Sequence, residues 1–338
     1  MEKGAWRLRI GVLGAVLLLI LVGPARLPAA DRVPLGYSAI SGSNASFWVA
    51  KDAGIYARHG LDPTLAYIAS SSTMAQAMLA GEIAFSTANG KVVVDAVLAG
   101  GDLVLIGVIT PVPAFYIMAR PEIREVADLR GKPVGVTRFG SSTDFTMRLL
   151  LRKSGLEPDR DVPMRQLGGM PELAVGLSQG AIVAAPFSSP TDLRARKAGA
   201  KVLVDMARAG IYFPHVGFTT SRSYVRQKRD VALRVLKAYG EAVHFMHAQK
   251  EATKQILARY ARIREPEMLE ATWQYTVDFN QKVPVIHPEG LRTVLEETAR
   301  TTPAAQRARL EQFTDDSLLK ELEATGFFRQ LWGAAAGR

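Results

Sequence analysis

Two short runs of hydroxyl side chains carry the chemistry that this sequence offers: Ser70-Ser71-Ser72-Thr73 and Phe139-Gly140-Ser141-Ser142-Thr143-Asp144. A hydroxyl both donates and accepts a hydrogen bond, and Ser, Thr and Asp are the types that cap a helix start. The first N–H groups of a helix have no partner inside it and carry partial positive charge. A hydroxyl-rich helix start can therefore hold an anion or the polar head of a small molecule. The simpler reading of either run by itself is a cap and nothing more. Asp144 cuts both ways: its carboxylate repels an anion placed there, or receives the amino group of a zwitterion.

The flanking residues say what positions these runs. Residues 133–137 form an apolar run that reads as a buried strand, and residues 145–151 read as a helix with an apolar stripe. Residues 63–68 and 74–80 frame the earlier run in the same way. Leu79-Ala80-Gly81-Glu82-Ile83-Ala84-Phe85 parallels Leu177-Ser178-Gln179-Gly180-Ala181-Ile182-Val183-Ala184, a helix ending at glycine before a short strand. This weak internal repeat predicts two similar lobes, each presenting a hydroxyl-lined helix start to a cleft between them. Residues 33–38 read as the first strand and residues 47–58 as a helix broken around Gly54. The alternation continues through 83–86, 92–98 and 103–109. Such βαβα order predicts a largely parallel sheet with helices on its faces.

In open sheets of this kind ligands sit beyond the carboxyl ends of the strands, where the polar turns lie. The candidate ligand-binding residues are Ser41, Asn44, Ser71, Ser72, Thr73, Asn89, Phe139, Ser141, Ser142, Thr143, Asp144, Phe187 and Ser188. Aromatic residues near these turns, Tyr37, Trp48, Phe115 and Phe213 among them, are candidates for a cleft wall; each taken singly is more often core.

Composition removes several function classes. The 338 residues contain no cysteine, which excludes disulfides, thiolate metal sites, a cysteine nucleophile and a lipid-modified N-terminal cysteine. The five histidines include His244 and His247, three apart on a predicted helix, with no third metal ligand in suitable spacing. There is no Gly-x-Ser-x-Gly turn, Walker glycine pattern or dinucleotide fingerprint. No catalytic residue, metal or cofactor is expected, and the chain reads as a binding protein rather than an enzyme.

Lys3, Arg7 and Arg9 precede an apolar run at residues 10–22, followed by the small residues Gly23, Ala25, Ala29 and Ala30. This is the pattern of a cleaved export signal over residues 1–30, and the run is shorter than the ~20 residues that span a bilayer. The competing reading is an uncleaved anchor. The formal net charge is +10, and about +8 without residues 1–25. Export and the lack of any nucleic-acid motif argue against a nucleic-acid partner, so the charge reads as a solvated basic surface.

Three pieces recur in order and spacing: Phe47-Trp48-Val49-Ala50-Lys51-Asp52-Ala53-Gly54-Ile55-Tyr56 with Gly60-Leu61-Asp62; Ala77-Met78-Leu79-Ala80-Gly81-Glu82-Ile83; and Val126-Ala127-Asp128-Leu129-Arg130-Gly131-Lys132-Pro133-Val134-Gly135-Val136. Together they resemble the periplasmic substrate-binding proteins of nitrate, sulfonate and taurine ABC importers, a group that also includes thiamine-pyrimidine binding proteins. The resemblance covers roughly residues 33–260. It implies an α/β, type 2 periplasmic binding protein fold: two α/β lobes joined by two crossover segments, placed at residues 114–120 and 214–220. The first lobe would comprise residues 31–117 and 217–338, the second residues 118–216.

The implied function is the solute-binding component of an ABC transporter that captures a small anionic or zwitterionic solute, of the sulfonate, taurine or nitrate class, in a cleft that closes on it. The alternative is binding or metabolism of a thiamine-precursor pyrimidine on the same fold. The implied partners are the solute and the importer permease; the protein would be a periplasmic monomer meeting the membrane only through that permease. Members often carry an acidic residue where this chain has Ala84 and Val183, a departure that bears on the ligand class.

Overall fold

A computed structural model describes residues 29–333, so all but the last two residues of the expected export signal lie outside the described residues. The strand β1 (Asp31–Tyr37) pairs in parallel with β2 (Leu61–Tyr67), Leu35 opposite Leu65. With β3 (Phe85–Ser86), β4 (Leu103–Thr110) and β10 (Val216–Ser221) they form a sheet of order β2-β1-β3-β10-β4. A second sheet has the order β7-β6-β8-β5-β9, from β5 (Tyr116–Ala119), β6 (Val134–Val136), β7 (Met164–Gln166), β8 (Ala184–Phe187) and β9 (Lys201–Asp205). All eight residues of β4 are buried, as an unbroken apolar strand requires when both faces are covered.

Helices fill the intervals. In the first lobe these are α1 (Ala45–Asp52), α2 (Ile55–Arg58), α3 (Ser71–Leu79) and α4 (Gly90–Leu98). In the second they are α5 (Ser142–Lys153), α6 (Met170–Ser178) and α7 (Thr191–Lys197). The break between α1 and α2 falls at Gly54, whose φ of 68° suits a residue without a Cβ. After β10 come α8 (Arg222–Gln227), α9 (Arg229–Ala248), α10 (Lys250–Ala261), α11 (Pro266–Phe279) and α12 (Pro288–Ala299). The long α9 buries Val235, Leu236, Tyr239 and Val243. Tyr239 meets Phe218 of β10 at 5.7 Å between ring centres, and Trp48 of α1 stacks on Tyr260 of α10 at 5.0 Å. This post-β10 chain thus packs on the first sheet.

The repeat is real, but its register corrects the sequence reading. Both sheets share one pattern: three parallel strands, then an antiparallel strand received from the other half of the chain, β10 in the first and β5 in the second. By order in the chain, β6–α5 matches β1–α1 and β7–α6 matches β2–α3. The equivalence of residues 79–85 and 177–184 therefore holds. The two hydroxyl runs, however, occupy different places in the repeat. The counterpart of Ser70–Thr73 is Gly168-Gly169-Met170, which has no hydroxyl. Similar composition had stood in for similar position.

The chain leaves the first sheet after Thr110 and returns to it at Val216. Residues 116–119 of the first expected crossover are already a strand of the second sheet, so the connections themselves are residues 111–115 and 206–215.

Candidate functional site

Six strand-to-helix turns lie at the carboxyl ends of strands, three from each sheet, and five of them reach a cleft between the lobes. The cleft encloses about 450 Å3 of space not filled by atoms, part of it open to solvent. The first lobe supplies Ser38, Ser43 and Asn44 from the turn after β1, and Tyr67, Ser70 and Ser71 from the turn after β2. The second supplies Thr137 and Ser141–Thr143 after β6, Gly169 and Met170 after β7, and Ser188 after β8. Phe115, His215 and Val216, in or beside the two connections, close the back.

Local bonding explains the shape. Ser141 caps α5, its Oγ accepting the N–H of Asp144 at 3.3 Å. Thr143 Oγ1 accepts the N–H of Thr137 at 2.9 Å and meets the hydroxyls of Thr137 and Ser141 at 2.9 and 2.8 Å, a closed ring of three buried hydroxyls. Ser70 caps α3 by accepting the N–H of Ser72 at 3.4 Å. It does so with φ 79° and ψ 135°, a strained conformation for a residue with a Cβ. Asn89 caps α4 through Oδ1 and bridges the two lobes, donating Nδ2–H to Ser142 Oγ at 3.0 Å. Gly42 N–H donates to the Ser189 carbonyl at 3.1 Å, a second bond between the lobes.

No Asp, Glu, Lys or Arg lines the cleft among the described residues. Helix starts supply its positive ends: those of α3 and α5 and of the short turn Gly42–Asn44 that runs into α1, whereas at the start of α6 the Glu172 carboxylate accepts the Gly169 N–H at 2.9 Å. Their N–H groups carry partial charges only. Such a lining suits a small anion, or a zwitterion's anionic end, held by neutral donors. Asn44 Oδ1 is buried there without a partner, so the cleft also holds an unused acceptor.

Of the candidate residues from sequence, Asn44, Ser71, Ser141, Ser142, Thr143 and Ser188 line this cleft. The others do not. Ser41 is a buried cap whose Oγ meets that of Ser43 at 3.1 Å. Ser72 Oγ bonds Ser70 Oγ at 2.9 Å, Thr73 follows on α3, and Asn89 acts through Ser142. Phe139 is 46% exposed, with the Arg148 guanidinium over its ring. Phe187 is core. Asp144 turns away: its carboxylate accepts Gly140 N–H at 2.9 Å and Arg148 Nε–H at 2.7 Å, in a separate groove also lined by Lys91 and Arg152. Burial raises its pKa, opposed by Arg148 and the Gly140 N–H.

The sequence reading left Ser38, Ser43, Tyr67, Thr137, Gly169, Met170 and His215 out of the site. The Gly168-Gly169 start of α6 carries no hydroxyl signal, and its Gly169 N–H is donated to Glu172 Oε2 at 2.9 Å. His244 and His247 pack edge-on against Trp332, 5.1 and 5.2 Å between ring centres. Among the described residues no helix is long and apolar enough to cross a membrane.

A family model described as NMT1/THI5 like matches residues 42–253. A Brucella abortus protein whose name proposes a binding role without stating a ligand is 25% identical over 249 residues, covering 69% of this chain and 73% of the relative. The alkanesulfonate-binding protein SsuA from Xanthomonas axonopodis pv. citri, bound to MOPS, superposes with a TM-score of 0.68 at 22% identity, covering 83% of this chain and 95% of SsuA. The periplasmic nitrate-binding protein NrtA from Synechocystis PCC 6803 superposes with a TM-score of 0.67 at 15% identity, covering 93% and 94%. The chain thus has the periplasmic binding protein fold.

Proposed function

The chain belongs to the NMT1/THI5-like family, and from that premise we propose that it is the periplasmic solute-binding component of an ABC importer, taking a small anionic or zwitterionic solute between its lobes. One observation carries this reading: a cleft lined by hydroxyls and helix starts from both lobes, with no formally charged side chain. A cleft that contributed full charges would favour multiply charged ligands; neutral donors at helix N-termini favour a single compact negative group. Sulfonate and nitrate heads have that form. SsuA and NrtA, which share the fold, are named for such ligands. Delivery to a permease and residence in the periplasm follow from the same reading, and the division into lobes at residues 31–117 with 217–338 and 118–216 is part of it.

A melting-temperature screen tests it. Ethanesulfonate, taurine, nitrate and an aminopyrimidine are added to the protein in turn. Binding at a hundredfold excess over Kd contributes about 2.7 kcal/mol of stability. The reading expects clear stabilisation by at least one of the first three. Stabilisation by the pyrimidine alone would move the assignment to a thiamine-precursor ligand, and no stabilisation by any anion would contradict the reading.

A further inference from the structure

Asn44 ends the short turn Gly42–Asn44 and immediately precedes α1, the place where an Asn side chain ordinarily caps a helix. Here it caps nothing: its side chain makes no bond to the N–H groups of α1. The residue is 1% exposed and lines the cleft. Its Nδ2 donates to Ser43 Oγ at 3.4 Å, and Ser43 Oγ lies 3.1 Å from Ser41 Oγ. Its Oδ1 is buried, and no N–H or O–H among the described residues reaches it.

An amide oxygen carries two lone pairs, and a buried one left unpaired is costly. The helix starts of α3 and α5 offer the cleft donors, which suit a negative head. Asn44 Oδ1 is the opposite kind of group. It is an acceptor only, it repels the oxygens of an anion, and it pairs only with an N–H or O–H. A water over it would serve, but a solute that displaces such a water must restore the bond or lose affinity. Nitrate and an unsubstituted alkanesulfonate have no donor with which to restore it.

We propose that Asn44 is a specificity-determining residue of this cleft: its Oδ1 accepts a hydrogen bond from an amino or hydroxyl group of the solute, so the cleft selects an anion that carries such a donor over a plain one. The inference rests on the solute-binding reading above and narrows its solute. The bond to Ser43 sets the orientation of the amide. Turning the amide over would aim Nδ2 at the solute and favour a plain anion, the opposite selectivity, so a matched series of solutes reads the orientation directly.

The probes are ethanesulfonate, isethionate and taurine, which share one sulfonate head and differ only in what the second carbon carries: hydrogen, hydroxyl or ammonium. Nitrate is run beside them, and Kd is read by titration calorimetry. Wild type is expected to bind the better of isethionate and taurine at least about tenfold more tightly than ethanesulfonate. Preference for taurine assigns the donor as ammonium, and preference for isethionate assigns it as hydroxyl. Asn44→Leu keeps much of the shape and removes the acceptor, and is expected to reduce that ratio to less than about threefold. Because the ratio compares two solutes in one variant, a loss of stability common to both does not move it. Asn44→Asp, which keeps an acceptor oxygen, should bind every sulfonate more weakly yet hold the ratio above about tenfold. In wild type, equal affinity for the three sulfonates, or tightest binding to ethanesulfonate or nitrate, would overturn this proposal and leave the solute-binding reading intact, as would a ratio unchanged in Asn44→Leu. Failure of wild type to bind any of the four probes would overturn both.

Discussion

Asp192→Asn is expected to melt higher than wild type at pH 7 and to lose that advantage as the pH falls from about 6 to about 4. Asp192 sits in the first turn of α7, 2% exposed, with Oδ1 lacking any partner and Arg196 3.7 Å from Oδ2. Desolvation outweighs that distant guanidinium and pushes its pKa up to about 6. A carboxyl whose folded pKa is raised stabilises the fold when protonated, so at pH 7 the ionised group costs stability. At about 1.4 kcal/mol per pKa unit the penalty is on the order of 2–3 kcal/mol. Acid relieves it once the folded state takes up a proton that the unfolded state does not yet bind. His215 acts in the opposite sense. Its folded pKa of about 3 lies below the ordinary histidine value, so stability is lost as the pH falls from about 6.5 towards 3. In wild type the two contributions oppose each other as the pH falls. Each substitution should expose the other's slope: Asp192→Asn becomes more acid-sensitive than wild type and His215→Asn less. Parallel pH–stability curves for Asp192→Asn and wild type would refute the account of Asp192.

Thr143→Val should be the most damaging single change in the cleft. The methyl replaces an oxygen that accepts the Thr137 N–H and meets the hydroxyls of Thr137 and Ser141, all of them buried. Shape is kept while the Thr137 N–H loses its acceptor, and the hydroxyls of Thr137 and Ser141 keep their bond to each other at 3.0 Å. Leaving a buried polar group unpaired costs about 1–3 kcal/mol, so a loss in that range is expected by denaturant unfolding. Thr143→Ser, which keeps the oxygen, should recover most of it. A Val variant as stable as the Ser variant would show that the hydroxyl ring does not hold the α5 turn.

Much of this molecule is legible in its sequence because the relevant physics is local. The all-apolar β4, the break at Gly54 and the Ser and Asn caps of α3, α4 and α5 each follow from a few neighbouring residues. The site is less legible because it is assembled from turns far apart in the chain. The direction of Asp144 had a local signal, Arg148 four residues on, the spacing at which helix side chains pair. Phe187 lies inside β8 next to the turn, and proximity in sequence gave no hint of which face it took. The place of His215 depends on its contact with Ala114, about a hundred residues away, and no local pattern reports that contact. Gly169 has no side chain to mark it, and the local signal at its turn is Glu172 three residues on, which caps α6 by accepting the Gly169 N–H.

The central claim, that helix-start hydroxyls of the cleft hold the solute, is tested most directly by titrating Ser71→Ala and Thr73→Ala with whichever of ethanesulfonate, taurine or nitrate stabilises the wild type. Ser71, the first residue of α3, lines the cleft, and Thr73, in the same first turn, does not. The Ser142 hydroxyl is a poorer test, because its proton is already donated to the His215 carbonyl at 3.3 Å. Loss of one hydroxyl hydrogen bond to a charged head costs about 1.5–3 kcal/mol, so Ser71→Ala is expected to bind about ten- to a hundredfold more weakly, and Thr73→Ala about as tightly as wild type. Equal affinity in Ser71→Ala and wild type, or a loss confined to Thr73→Ala, would contradict it.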